Sequence, residues 1–311
     1  MSQEVHTENR GAVVEAFALA KNYGRVLALA DCTLSVRRGE VFGLLGPNGS
    51  GKTTLLRLLL GFLRPTGGRA AIGGRDCWRE SVTVHAGVSY LPGDVRLVRG
   101  MNGRDVLEFF ARLRGGGDFA RSLQLAERLG LDLSRKVSQM STGMRQKLAL
   151  GAVLAVDVPL LVLDEPTSNL DPTVRSQVLA LIREARVAGR TVIFSSHVLS
   201  EVEQVCDRVV ILRQGRLVHD QVMSEIRRGH RIRAKVIGAL PQAPEELRKE
   251  IHVSITNDGH VVIDAPADLA RILKWLATLP LAEVHIEPIG LQAVYEQYHP
   301  ADAAASTEVA A

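Results

Sequence analysis

The stretch Val41-Phe42-Gly43-Leu44-Leu45 followed by Gly46-Pro47-Asn48-Gly49-Ser50-Gly51-Lys52-Thr53 constrains this chain more than any other. An uninterrupted apolar run, bounded by Arg37-Arg38-Gly39 before it and Gly46-Pro47 after it, predicts a strand buried on both faces. A helix is predicted from Lys52 to about Phe62, stopped by Pro65 and Gly67-Gly68. The loop between them fits G-x-x-x-x-G-K-[ST], a pattern that binds phosphate only between a strand and a helix. Glycines let backbone N–H groups converge on phosphate oxygens, and the helix start adds its partial positive charge. Lys52 can reach the β- and γ-phosphates, and Thr53 can offer a hydroxyl to Mg²⁺. Candidate nucleotide-binding residues are therefore Gly46, Pro47, Asn48, Gly49, Ser50, Gly51, Lys52, Thr53 and Thr54. Chance matches to the bare pattern occur in on the order of 1% of chains this long, and the strand–turn–helix setting lowers that further.

A second apolar run, Leu160-Leu161-Val162-Leu163, ends in Asp164-Glu165. A strand beside the phosphate loop would bring Asp164 to the metal, commonly through water. It would place Glu165 near the γ-phosphate as general base. Further strands are predicted over Val13–Leu19, Ala28–Val36, Val192–Ser195 and Arg208–Leu212, the last turning at Gln214-Gly215 into Arg216–His219. Residues 95–156 are helical in character, with apolar residues three or four apart in Val106–Leu113 and Leu123–Leu129. Asp171 and Pro172 suit the cap and first residue of a helix ending near Gly189. Strands alternating with helices imply a largely parallel sheet.

Only 4% of the 311 residues are aromatic, so Leu, Val, Ala and Ile must fill most of the interior. A net charge of +4 falls short of a dedicated nucleic-acid binder, and none is expected as a partner. Cys32, Cys77 and Cys206 are odd in number and widely spaced, which reads as reduced thiols rather than a disulfide framework. Met1–Gly11 is polar, and no window of about 18 apolar residues could span a bilayer. A membrane part, if one is served, must come from another chain.

These features define a P-loop ATPase or GTPase, and Met140-Ser141-Thr142-Gly143-Met144-Arg145-Gln146 narrows the class. Taken bare, Ser-Thr-Gly-Met is only a helix cap. In this order and spacing upstream of Asp164 it resembles the signature loop of the ABC ATPase family. Tyr23 matches the aromatic that stacks on adenine in that family. Ser168-Asn169-Leu170-Asp171 resembles its D-loop, and His197, after Phe194-Ser195-Ser196, its switch histidine. The resemblance runs from about Val13 to Ser224. It implies a P-loop ABC ATPase cassette with a mostly parallel sheet core, an antiparallel β subdomain and a helical subdomain. It also implies two such chains, head to tail, sandwiching ATP and Mg²⁺ beneath an integral-membrane permease. Each nucleotide would be held by residues 46–53 of one subunit and by Ser141 and Gly143 of the other, with Glu165 and His197 catalytic and Asp171 coupling the sites. Thr53 and Asp164 would hold the metal.

One departure is Val88-Ser89-Tyr90-Leu91-Pro92-Gly93-Asp94, where the family usually carries Gln in place of Gly93. Either Asp94 substitutes, or Thr53, Asp164 and water suffice. Such Leu-Pro-Gly versions resemble the branch serving so-called ABC-2 permeases, as does Pro288–Tyr295, which favours export of drugs, lipids or polysaccharides. An importer ATPase and a soluble ABC-type ATPase are the alternatives. One cassette without sustained heptads argues against ribosome-acting and DNA-repair relatives.

Past a basic cluster (Arg227, Arg228, Arg231, Arg233) the pattern is βαββαβ-like. The expected organisation is therefore a cassette over 12–226, a small α+β domain over 230–299 and a disordered tail over 300–311. His252, His260 and His285 in the second domain read as solvated strand histidines. The expected location is cytoplasmic, peripheral on the inner face of the cell membrane.

Overall fold

The computed structural model describes residues 11–113, 117–226, 229–238, 240–241, 243–248, 251–256, 259–265 and 269–298. The tail over 300–311 and the arginines at 227 and 228 lie outside the described residues. Two compact units divide between Asp220 and Gln221.

In the first unit, β1 (Ala12–Tyr23) and β2 (Val26–Arg37) form an antiparallel hairpin that leads into β3 (Val41–Leu45) and α1 (Lys52–Leu59). Then come β4 (Gly67–Ile72), β5 (Arg75–Asp76), α2 (Ser81–Ala86) and β6 (Val88–Leu91). A helical stretch follows, α3 (Gly103–Leu113), α4 (Phe119–Arg128) and α5 (Thr142–Ala155). It returns to the sheet through β7 (Leu160–Asp164), α6 (Pro172–Val187), β8 (Thr191–Ser196), α7 (Leu199–Val205), β9 (Arg208–Arg213) and β10 (Arg216–Val222). The six-stranded sheet runs β10-β9-β3-β8-β7-β6, with β9, β3, β8, β7 and β6 pairing in parallel. A separate antiparallel sheet runs β2-β1-β4-β5. This is the mixed α/β architecture expected.

The central strands are apolar throughout because helices cover both faces: every residue of β3, β7 and β8 is buried. Phe42, Leu44, Leu55, Leu59, Val162, Ile193 and Val210 belong to one core under the phosphate loop. Each such aliphatic side chain contributes about 2 kcal/mol. The helical stretch has its own core around Val106, Leu107, Ala126 and Leu148. Buried Arg190 donates to the carbonyls of Leu154, Val156 and Val158, tying down the C-terminal end of α5.

Two expectations shift. The helix predicted to Phe62 ends at Leu59, because Gly61 adopts the left-handed conformation that stops it (φ 67°). Gly67-Gly68, predicted as a stop, instead begins β4, which packs beside a register shift in β1 between Phe17 and Ala20.

The second unit contains α8 (Met223–Ile226), β11 (His230–Val236), α9 (Glu245–Arg248), β12 (His252–Ile255), β13 (His260–Ala265), α10 (Leu269–Leu276), β14 (Leu281–Pro288) and α11 (Leu291–Tyr298). Its antiparallel sheet runs β12-β13-β11-β14, with Ile232, Ala234, Val261 and Ile263 sharing a core with Ile272 and Trp275. Arg231 bonds Asp264 twice (2.6 and 2.8 Å) across neighbouring strands, and Arg233 pairs with Glu287. The histidines at 252, 260 and 285 sit on three different strands. Among the described residues no cluster of His, Cys, Asp and Glu is arranged to hold a metal.

Candidate functional site

Parallel pairing brings three strand ends together. Leu45 of β3 lies beside Ser196 of β8, and Asp164 of β7 beside Ser195. The residues that follow these strands are Gly46, His197 and Glu165, so segments far apart in sequence meet at one sheet edge. The carboxyl ends of strands in an open α/β sheet are where ligands bind.

Gly46 is required by close approach, since a Cβ there would stand 2.3 Å from the carbonyl oxygen of Leu212. Pro47, Asn48, Gly49, Ser50 and Gly51 carry the loop onto α1, whose first turn has no side-chain cap. The N–H groups of Lys52, Thr53 and Thr54 are thus the uncapped donors of a helix start, the arrangement that receives an anion. Ser50 Oγ is buried at the same loop and has no hydrogen-bond partner.

Lys52 is buried and its ammonium donates to the carbonyls of Gly46 (2.6 Å) and Pro47 (3.3 Å). It also makes an ion-pair contact with Glu165 Oε1 at 3.4 Å, and that oxygen has no hydrogen-bond partner. The other oxygen, Oε2, accepts from His197 Nδ1 at 2.7 Å. Because a carboxylate only accepts, the Nδ1 proton is assigned to the imidazole and Nε2 is left to face a ligand. Thr53 Oγ1 donates to Asp164 Oδ2 at 3.0 Å. A hydroxyl and a carboxylate oxygen side by side form a hard donor pair suited to a small divalent cation. An uncapped helix start, a buried ammonium and this oxygen pair fit a magnesium nucleotide.

Glu165 sits at φ 50°, in the left-handed region that costs a non-glycine residue about 1 kcal/mol or more. Its N–H donates to Ser195 Oγ (2.9 Å) and the Ser195 carbonyl (3.2 Å). Ser195 Oγ in turn donates to Asp164 Oδ1 (2.6 Å). The Glu165 carbonyl accepts from Ser168 Oγ (2.7 Å) and from the buried amide of Gln146 (3.3 Å), which also reaches the Pro166 carbonyl (3.1 Å). Ser195, Ser168 and Gln146 hold the strained turn; all three stand in quoted motifs, but motif reading assigned none of them this role. Ser195 stands in the run quoted for His197, but its role needs the β7–β8 register. Gln146 closes the signature segment one turn into α5.

The remaining candidates lie on other loops. Ser141 caps α5, its Oγ accepting from the Met144 N–H (3.2 Å). Gly143 faces Asn169: a Cβ there would come within 2.6 Å of that carbonyl oxygen, so the signature and D-loops of one chain touch. Asp171 caps α6 as predicted, accepting from the Val174 N–H, and the bonds to its ionised form hold its carboxyl below the usual range. Tyr23, half exposed, ends β1 with Lys21 over its ring. Gly93 lies against Asp164, where a Cβ would be 3.5 Å from Oδ2, and contributes no side chain. The Asp94 carboxylate pairs with Arg96 (2.8 Å) in solvent. Next to Gly93 an apolar cavity of about 410 Å³ is lined by Phe62, Tyr90, Leu91, Pro92, Phe110 and Leu113.

A glycine loop on an uncapped helix, its lysine against an acidic strand end and a histidine beside that acid define a P-loop ATPase. The ABC transporter family model matches residues 29–168. An uncharacterized ABC transporter ATP-binding protein of Nostoc sp. is 37% identical over 237 residues, covering 72% of this chain and 70% of that one. The daunorubicin/doxorubicin resistance ATP-binding protein DrrA of Streptomyces peucetius is 32% identical over 317 residues, 96% of each chain. A solved ATP-binding subunit of an ABC transporter is similar at 29% identity with TM-score 0.64, over 70% of this chain and 92% of that one. The chain belongs to the ABC transporter ATP-binding proteins, the ATP-hydrolysing subunits of these transporters. Cassettes of this family form pairs and work with membrane permeases. Among the described residues no helix is long and apolar enough to cross a membrane.

Proposed function

We propose that this chain powers export of a small molecule by hydrolysing ATP as a homodimer beneath a separate permease, on the inner face of the cell membrane. The observation that carries the reading is the convergence of Lys52, Thr53, Asp164, Glu165 and His197 at one sheet edge. In this reading residues 12–226 are the cassette and 230–299 an accessory domain.

The loop 46–51 and the first-turn N–H groups of Lys52, Thr53 and Thr54 bind the phosphates, and Tyr23 stacks on adenine. Thr53 and Asp164 would hold Mg²⁺, which would neutralise phosphate charge. Lys52 leaves Glu165 for the β- and γ-phosphates, which frees the carboxylate to orient water. Glu165 takes the proton as the water oxygen bonds to the γ-phosphorus and the bond to ADP breaks. As imidazolium, His197 keeps its Nδ1–H on Glu165 and donates its Nε2–H to the γ-phosphate. Ser141 Oγ and the Gly143 N–H approach the same phosphate from the partner subunit, and Asp171 couples the two sites. The apolar cavity beside Gly93 suits an amphipathic segment of the permease, whose openings would follow the dimer. Gly93 offers no side chain and Asp94 is paired with Arg96, so the metal would be held by Thr53, Asp164 and water.

Export is supported by the daunorubicin resistance names of two relatives, one of them similar over 96% of this chain. Pull-down of Glu165→Gln from detergent-solubilised membranes with ATP and Mg²⁺ tests the reading. Recovery of a multi-spanning protein supports it; recovery of ribosomes, DNA-associated proteins or nothing from an ATP-binding preparation overturns it.

A further inference from the structure

The carboxylate of Glu201, on α7, is buried within the first unit and takes no part in the chemistry above. Its Oε2 accepts from Thr167 Oγ1 at 2.7 Å and from Ser196 Oγ at 2.9 Å. Oε1 is buried with no hydrogen-bond partner. The two donors come from different segments, Thr167 from the turn after β7 and Ser196 from the last position of β8. Thr167 stands two residues after Glu165, and Ser196 immediately before His197. Ser196 Oγ also accepts from the Val198 N–H at 3.0 Å, so the relay brackets the His197 backbone on both sides. Burying a carboxylate with one oxygen unsatisfied costs free energy. A neutral pair of loops would avoid that cost, so a gain must offset it. What a charged acceptor supplies is a short, strong tie between the two loops.

We infer that Glu201 is a positioning residue that holds the His197 loop in register with the Glu165 loop, so that His197 Nδ1 meets Glu165 Oε2. The inference rests on the roles proposed for those two residues. Glu201 touches neither nucleotide nor water itself. The phosphate loop is not part of the tie, so its loss separates turnover from ATP affinity.

The test is a double-mutant cycle on the ATPase activity of the purified full chain, with melting temperature followed in parallel. His197→Ala is expected to lower kcat about 100-fold, as loss of one transition-state donor does. Glu201→Ala is expected to lower kcat about tenfold, with KM for ATP changed less than about twofold, the pattern of a misplaced catalytic group. In the His197→Ala background Glu201→Ala should cost less than about twofold, because the group it positions is gone. Glu201→Gln keeps an oxygen for both hydroxyls and should restore kcat to within about threefold. If Glu201→Ala fails to fold, Ser196→Ala cuts one arm of the tie and must show the same non-additivity at smaller amplitude. Equal losses in both backgrounds, an effect on KM alone, or wild-type turnover in Glu201→Ala would overturn the inference. A wild-type rate in His197→Ala would instead remove the role of His197, a distinct result.

Discussion

The two units each carry a cation–carboxylate pair on a sheet, and the pairs differ in every physical respect. Arg231 and Asp264 face each other on adjacent antiparallel strands and share two hydrogen bonds, with both carboxylate oxygens used. Lys52, the first residue of α1, and Glu165, just past the end of β7, touch at 3.4 Å and leave one oxygen without a hydrogen bond. The Glu165 backbone is strained, whereas Arg231 lies in regular strand register. The first pair has the geometry of a lasting tie, and the second is the one that the proposed mechanism requires to separate when a phosphate arrives. Hydrogen-bond satisfaction separates the two pairs: both oxygens of Asp264 are bonded, and Oε1 of Glu165 is not.

That contrast can be broken at several points. The largest effect is expected for Glu165→Gln, which removes the base and the charge facing Lys52. Turnover should fall by about 10³-fold or more while ATP binding is retained or tightened, seen by ATPase assay beside equilibrium nucleotide binding. Near wild-type hydrolysis would make the Lys52–Glu165 pair as structural as the other. Next is Gly143→Ala, whose methyl meets the Asn169 carbonyl and must push the signature and D-loops apart. About tenfold to 100-fold loss of kcat is expected in a chain that still folds, with a modest fall in melting temperature from the intrachain clash. An unchanged rate would detach those loops from the chemistry. Arg231→Ala should do the opposite. Losing a bidentate, largely buried pair should cost about 1–3 kcal/mol of stability in denaturant titration and leave turnover unchanged. A drop in kcat without loss of stability would give the second unit's pair a functional part. The smallest effect concerns the thiols. Burial pushes Cys32 and Cys77 up to about 12, and Cys206 is buried as well. A chromogenic disulfide reagent at pH 8 should therefore react with the native chain only after denaturant is added.

The phosphate loop, Asp164, Glu165 and the Asp171 cap were legible in the sequence because their chemistry is local. Each needs a short run of residue types next to a strand or helix start. Ser195, Gln146 and Glu201 were not legible, because their value depends on register. Ser195 matters only because β7 and β8 align it with Asp164, and an isolated serine in Phe-Ser-Ser-His carries no sign of that. β4 was missed for a related reason: two glycines read as a break when the local pattern hides a partner strand. The βαββαβ order of the second unit could be read from alternation and turn residues, though not the terminal helix α11, whose segment Pro288–Tyr295 was read only as a resemblance.

Arg190 pins the C-terminal carbonyls of α5, the helix whose other end is the signature loop. A rod fixed at one end turns about that point. At about 1.5 Å per residue the 14-residue helix is roughly 21 Å long, so a 1 Å push on Ser141 tilts it by about 3°. Gln146 lies near the moving tip, where it grips the turn at Glu165, and the buried guanidinium acts as the fulcrum. A push on the signature loop would then reach the Glu165 turn as a rotation of α5 rather than as a stretch.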